Sequence, residues 1–142
     1  MTGVLLANAA ATLFLVGVTW FVQAVHYPLF SAVGPGEFRA YHLEHSRRTT
    51  LVVVVPMVIE LLSSVVLVAD PPAGRAALAL SGAALAVVVW GLTFFGAVPA
   101  HRRLGDGLDA EAQRSLMTAS LLRTIAWSAH GAVVIALLAA VL

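Results

Sequence analysis

The stretch LVVVVPMVIELLSSVVLVA, residues 51–69, decides the fold of this chain. A hydrocarbon core about 30 Å thick is crossed by ~20 apolar helical residues at ~1.5 Å each. Such a segment must be helical, because lipid cannot satisfy the hydrogen-bonding groups of the backbone. A helix in a soluble bundle would need a polar face, and this stretch has none. It is therefore predicted to span a membrane.

Three further segments have the same character, so that the predicted spans are residues 4–30, 50–69, 76–98 and 116–142. Of the residues in the chain, 61% are hydrophobic and 11% are charged. In soluble domains, roughly a quarter of the residues are charged. We predict an all-α integral membrane four-helix bundle forming one domain over residues 1–142. No basic residue precedes Arg39, so the first span is expected to be a retained helix rather than a secretory signal.

The connections between the spans predict the topology. Residues Glu37 to Arg48 are expected to form a short amphipathic helix between the first two spans, and Asp109 is expected to cap the last helix. Six arginines lie on the first and third connections, and only Arg75 lies on the second. The positive-inside rule then places both termini outside the cytoplasm. The bias of the composition towards Ala, Val, Leu, Gly and Arg is typical of bacteria with GC-rich genomes. We therefore expect the protein to lie in a bacterial inner (cytoplasmic) membrane.

Composition also limits the classes of function. The chain has no cysteine, which excludes disulfides and thiolate metal sites. A net charge of +1 gives no basic surface for nucleic acid. The predicted partners are the lipid bilayer and a lipophilic small molecule, and a homo-oligomer is left open.

Ionisable residues inside the spans are costly in lipid and mark candidate functional positions. From the cytoplasmic ends of the spans, Arg123 is placed roughly 10 Å deep and Glu60 roughly 15 Å deep. Similar depth and opposite charge predict that these two pair. Helical spacing puts other polar side chains in line with them on the first and fourth spans: Thr12, Thr19, Gln23, His26, Ser120, Trp127 and His130.

Histidines make up the second candidate feature. Five occur in this apolar chain, and four of them are predicted near one interface: His26, His42, His45 and His101. The helix 37–48 would fold back as a lid, so that these four converge and bind a transition metal ion, namely copper, iron or zinc. The competing interpretation is that they are structural hydrogen-bonding residues.

Three short motifs carry a family resemblance: WFVQAVHYPLF (residues 20–30), VPAHRRL (residues 98–104) and LRTIAW (residues 122–127). They resemble small bacterial four-helix membrane proteins that are in turn similar to the anthrone-oxygenase-like family. The chain departs from that family's pattern at His101 and at Leu121 and Leu122, where the pattern has Asn. The resemblance implies oxidation of an aromatic or quinone-like substrate.

These observations predict a metal-dependent membrane oxidoreductase or oxygenase with a histidine-rich pocket near the cytoplasmic interface. Glu60 and Arg123 are the predicted catalytic residues, and Gln23, Trp127 and His130 are predicted to contact the cofactor. The first alternative is a haem-binding electron carrier, with His26 and either His130 or His101 as axial ligands. The second is a non-enzymatic scaffold or small-molecule binder with a structural polar core.

Overall fold

A computed structural model describes residues 1–141 of the chain. Helix α1 (Thr2–Phe21) continues through a π-helical segment (Val22–His26) and a 3₁₀ segment (Pro28–Ala32). Helix α2 spans Pro35–Ala69, and a 3₁₀ turn (Pro72–Gly74) leads to α3 (Ala76–Leu92). A second π-helical segment (Thr93–Ala97) joins α3 to α4 (Val98–Leu104), and α5 spans Ala110–Ala139. Leu142, the predicted end of the fourth span, lies outside the described residues.

The predicted all-helical fold is confirmed for the described residues. Four helical units are long and apolar enough to cross a membrane: Thr2–Ala32, Pro35–Ala69, Ala76–Leu104 and Ala110–Ala139. Helix α1 packs against α2 and α5, and α3 packs against the same two helices. Side chains such as Phe95, Leu43 and Val87 face outward. That apolar exterior is compatible with contact to lipid.

The prediction of a separate amphipathic helix between the first two spans is wrong. Residues 37–48 are the first turns of α2, a single helix of 35 residues, which is about 52 Å long at ~1.5 Å per residue. Gly34 and Pro35 start this helix, and the polar run over residues 37–50 contains neither Gly nor Pro to end it. His42 and His45 therefore lie on a continuous helix, and no lid folds back.

Both π-helical segments lie near the same end of the bundle, shortly before a proline. The amide of Tyr27 donates to the carbonyl of Val22 at 2.9 Å, five residues earlier. Pro28 and Pro99 have no N–H to donate to the carbonyl four residues before them, which favours a locally widened turn. We call this end, which holds the connections before Pro35 and after Leu104, the loop end.

The start of α5 is capped as predicted. The Asp109 carboxylate accepts hydrogen bonds from the amides of Glu111 (2.8 Å) and Ala112 (3.1 Å). It also accepts one from Arg103 at 2.8 Å. The Ala112 amide and then the Arg103 guanidinium hold the pKa of Asp109 below its usual value of 3.8. This cap fixes where the α4–α5 connection ends and α5 begins.

Candidate functional site

Four histidines from three helical units meet at the loop end. His26 belongs to the first π-helical segment, His42 and His45 to α2, and His101 to α4. His26 Nε2 lies 2.7 Å from His45 Nδ1, and His42 Nε2 lies 3.0 Å from His101 Nδ1. The rings of His45 and His101 are 5.8 Å apart between centroids, so the two pairs form one cluster. The structure thus brings together all four histidines predicted as metal ligands.

Tyr27 extends this histidine cluster. Its hydroxyl lies 3.0 Å from His101 Nε2, and its ring is buried. When His101 is neutral and its Nδ1–H donates to His42, its Nε2 can accept a hydrogen bond from the phenolic hydroxyl of Tyr27. The sequence analysis did not identify this role. The available signal was its position next to His26 and before a proline.

Aromatic side chains hold the imidazoles in place. Phe30 and Phe38 are both fully buried. The ring of Phe30 meets those of His26, His42 and His45 edge-on, at centroid distances of 5.5, 5.8 and 5.2 Å. Edge-to-face contacts of this kind stabilise a defined ring orientation. The cluster is therefore rigidly packed on the side of the loop end.

A cavity of about 350 Å³ opens beside the cluster. Three histidines form part of its wall, namely His42, His45 and His101. Most of the remaining wall is apolar, contributed by residues that include Val18, Val22, Val53, Met57, Ala97 and Val98. Its volume lies at the lower end of the range for small-molecule sites, ~300–1,000 Å³. An apolar space with a few convergent polar groups is the usual form of such a site.

A second cavity, of about 400 Å³, lies between α1 and α2 on the other side of His45. It is lined by His26, His45 and Arg48, and also by Phe21 and Val52, two side chains on the outer surface of the bundle. His45 lines both cavities. The histidine cluster is thus accessible from the side of the bundle as well as from within it.

The prediction that Glu60 and Arg123 form an ion pair is wrong. Among the described residues, their side chains do not contact each other. Arg123 lines the 350 Å³ cavity, close enough to Tyr27 and His101 to interact with them electrostatically. Glu60 instead lies at the level of His130, seven residues and about 10 Å further along α5. The error came from counting depth from assumed helix ends, since α2 and α5 both begin earlier than the predicted spans.

Glu60 belongs to a separate polar cluster in the middle of the bundle. Its Oε1 accepts a hydrogen bond from Ser64 at 3.0 Å and lies 3.3 Å from His130 Nδ1. The His130 contact has the length of an ion pair but not the direction of a hydrogen bond. Asn8 donates to the Glu60 carbonyl and to the hydroxyls of Ser63 and Ser64. Both Glu60 and His130 are buried, at 0% and 1% exposure.

Two of the residues predicted to contact a cofactor, Trp127 and His130, contact each other in the middle of the bundle and not the histidine cluster. Trp127 is fully buried, packs with Leu15, Met57 and Val89, and stacks on His130 at 6.0 Å. Neither Trp127 nor Gln23 lines either cavity. The haem alternative that pairs His26 with His130 needs two residues that the structure assigns to different clusters. Haem binding itself stays a prediction.

The fit of a metal ion depends on the spacing of the imidazole nitrogens. Within residues 1–141, no group of three or more His, Asp or Glu side chains is already arranged around a common ion position. The nitrogens of the two histidine pairs are 2.7 and 3.0 Å apart, whereas two ligands of a tetrahedral zinc-like ion are roughly 3.3 Å apart. His45 Nε2 is buried without a hydrogen-bond partner. The donor types fit a transition metal, whereas the spacing within each pair is that of a histidine–histidine hydrogen bond.

Searches for related proteins find no matching family, no matching curated protein and no matching solved structure. The resemblance to the anthrone-oxygenase-like family therefore stays a prediction.

Proposed function

We propose that this chain is a multi-pass membrane protein whose histidine cluster binds a transition metal ion and acts on a lipophilic small molecule. The observation that supports it is the convergence of four imidazoles from three helical units, three of which line an apolar cavity. Lone buried histidines are common, but four in mutual contact bring together at least four ring nitrogens of one ligand type.

The residues of the chain have distinct parts in this proposal. His26, His42, His45 and His101 hold the ion as neutral imidazoles. A bound copper or iron ion supplies redox chemistry, which suits oxidation or oxygenation of an aromatic or quinone-like substrate. Tyr27 orients His101 through the contact between its hydroxyl and Nε2, as outer partners of metal-bound histidines commonly do. The substrate enters from the lipid through the cavity that Phe21 and Val52 line.

The test is elemental analysis of protein purified without a histidine tag. We expect one or two copper, iron or zinc ions per chain, and their loss when His42 and His45 are both changed to alanine. His130→Gln is the matched control, because it removes a buried histidine outside the cluster and should leave the metal content unchanged. Full metal in the double variant, or none in the native protein, would overturn the proposal.

A second candidate is a non-enzymatic binder of the same lipophilic molecule. It is favoured by the two histidine–histidine contacts and by the Tyr27–His101 contact, which already satisfy most of the ring nitrogens without a metal. A native protein free of metal that still binds hydrophobic ligands would support this candidate over the enzyme. A Soret band in the visible spectrum would instead support the haem alternative.

The proposal includes an orientation in a bacterial inner membrane with both termini outside the cytoplasm. Its support is the concentration of arginines at the loop end, because Arg75 alone lies at the opposite end among the non-spanning arginines. Reporter fusions after Ala73 and at the C-terminus should both report an external location. A cytoplasmic signal from either fusion would reverse the orientation and leave the metal proposal standing.

A further inference from the structure

The strongest unexplained feature outside the histidine cluster is the charge of Arg123. Its Nε is buried without a hydrogen-bond partner, and in the part of the chain that the structure describes no carboxylate lies within ion-pair distance of it. An arginine inside an apolar bundle normally pairs with an acid or with backbone carbonyls. Its position on the cavity wall therefore indicates that the partner is a bound molecule.

The lining of the 350 Å³ cavity has one sign of charge. Its charged lining residues are two arginines, Arg102 and Arg123, and no Asp or Glu lines it. The nearest acid along α2, Glu44, forms ion pairs with Arg47 and Arg48 on an exposed face. A concave apolar space with positive groups and little water concentrates anions.

The shape and chemistry of the cavity define the head and the tail of that anion. A guanidinium presents parallel N–H donors that match the two oxygens of a carboxylate. Valines, Met57 and Ala97 provide the apolar wall for the carbons next to it. The hydroxyl of Thr19 on the same wall already donates to the carbonyl of Leu15. Of the two arginines on the wall, Arg102 is exposed, which leaves Arg123 as the charged donor inside the bundle.

We propose that this cavity binds an amphipathic carboxylate, with its head on Arg123 and its apolar body against the walls. This inference deepens the proposed function by naming the substrate class, and it rests on that proposal only in taking the cavity as the substrate site. It does not require a metal. The head on Arg123 would bring the first carbons of the molecule alongside His42, His45 and His101, which share the same cavity.

Binding of a fluorescent probe tests the inference in the purified full chain in a neutral detergent. The probe is a dansyl-labelled undecanoic acid, and its methyl ester is the neutral control of the same length. We expect the acid to bind at least tenfold more tightly than the ester. Arg123→Gln should weaken the acid by about 10- to 100-fold, the range for loss of a charge-assisted hydrogen-bonded pair, and should leave the ester unchanged.

Two further variants keep the result interpretable. Arg114→Gln removes an exposed arginine from the same helix that lines neither cavity, and it should bind the acid as the native protein does. Arg123→Lys keeps the charge and should recover part of the affinity. Equal affinity for acid and ester, or equal loss in Arg114→Gln and Arg123→Gln, would overturn the inference.

The design separates this inference from the metal proposal. Removing the metal with a chelator should leave the preference for the acid over the ester in place. Loss of metal with retained acid preference would refute only the metal proposal. Retained metal with no acid preference would refute only the carboxylate site. Addition of a short-chain phosphatidylglycerol should not displace the probe; displacement would assign the site to a lipid phosphate and refute the carboxylate.

Discussion

Glu60 and His130 should be energetically coupled, and Glu60 and Arg123 should not. The Glu60 carboxylate lies 3.3 Å from His130 Nδ1, with both residues buried, and contacts of this kind give coupling energies of roughly 0.5–3 kcal/mol. Arg123 is about 10 Å from His130 along α5. At that separation, changes in stability usually add to within ~0.5 kcal/mol.

Two double-mutant cycles measure these quantities. One combines Glu60→Gln with His130→Gln, and the other combines Glu60→Gln with Arg123→Gln. Reversible unfolding of the purified protein in detergent gives the free energy of unfolding for each variant. We expect the first double variant to be clearly less destabilised than the sum of its single variants. The second should equal the sum of its parts.

The two cycles also discriminate between the sequence-based pairing and the observed one. A coupling above about 1 kcal/mol between Glu60 and Arg123 would show that they interact. That result would refute the arrangement in which each belongs to a different cluster. Absence of coupling between Glu60 and His130 would show that their contact contributes nothing to stability.

Three more predictions follow from individual contacts. Gly82→Ala should destabilise the fold by about 1–3 kcal/mol, because a Cβ there would lie 3.2 Å from His130 Nε2. A Cβ at Gly91 on the same helix would meet nothing within 4 Å, so Gly91→Ala should be neutral or stabilising in a thermal melt. Asp109→Asn should lower the melting temperature at neutral pH. Because folding lowers the pKa of Asp109, its carboxylate stabilises the folded protein at pH values above the unfolded pKa. The difference in melting temperature from the native protein should therefore vanish as pH falls through the folded pKa. Metal bound by the histidine cluster should dissociate as pH falls through about 6, where free imidazoles take up protons, which dialysis followed by elemental analysis would check.

The spans could be predicted from sequence because membrane length and apolar composition act locally. Residues 51–69 have to be helical and long enough to cross lipid, whatever the rest of the chain does. The α2 start at Pro35 could not be predicted in the same way. A polar stretch before an apolar one is typical of a separate surface helix. Residues 37–50, however, include no Gly or Pro that would end a helix.

The candidate site was predicted in part, for a similar reason. Histidines near one interface were expected to meet, and His26, His42, His45 and His101 do so. The partners of Glu60 and Arg123 were missed because they depend on the relative axial position of α2 and α5. Shifting α5 by two turns along α2 places His130 next to Glu60 in place of Arg123. The helical periodicity of the sequence does not determine this axial shift.

The π-helical segments at Val22–His26 and Thr93–Ala97 have a consequence for how this chain can change. Each holds one more residue than a regular α-helical turn of the same span, so it is equivalent to a single inserted residue. Deleting one residue there would restore the regular helix and leave the residues beyond it facing nearly as before, because the wider turn only absorbs the extra residue. Deleting one residue from the regular part of either helix would instead rotate everything beyond it by about 100°, and His26 and Tyr27, or His101, would then face away from their partners. The two π-helical segments are therefore the places where the chain can lose one residue with the least change in the orientation of the helix beyond.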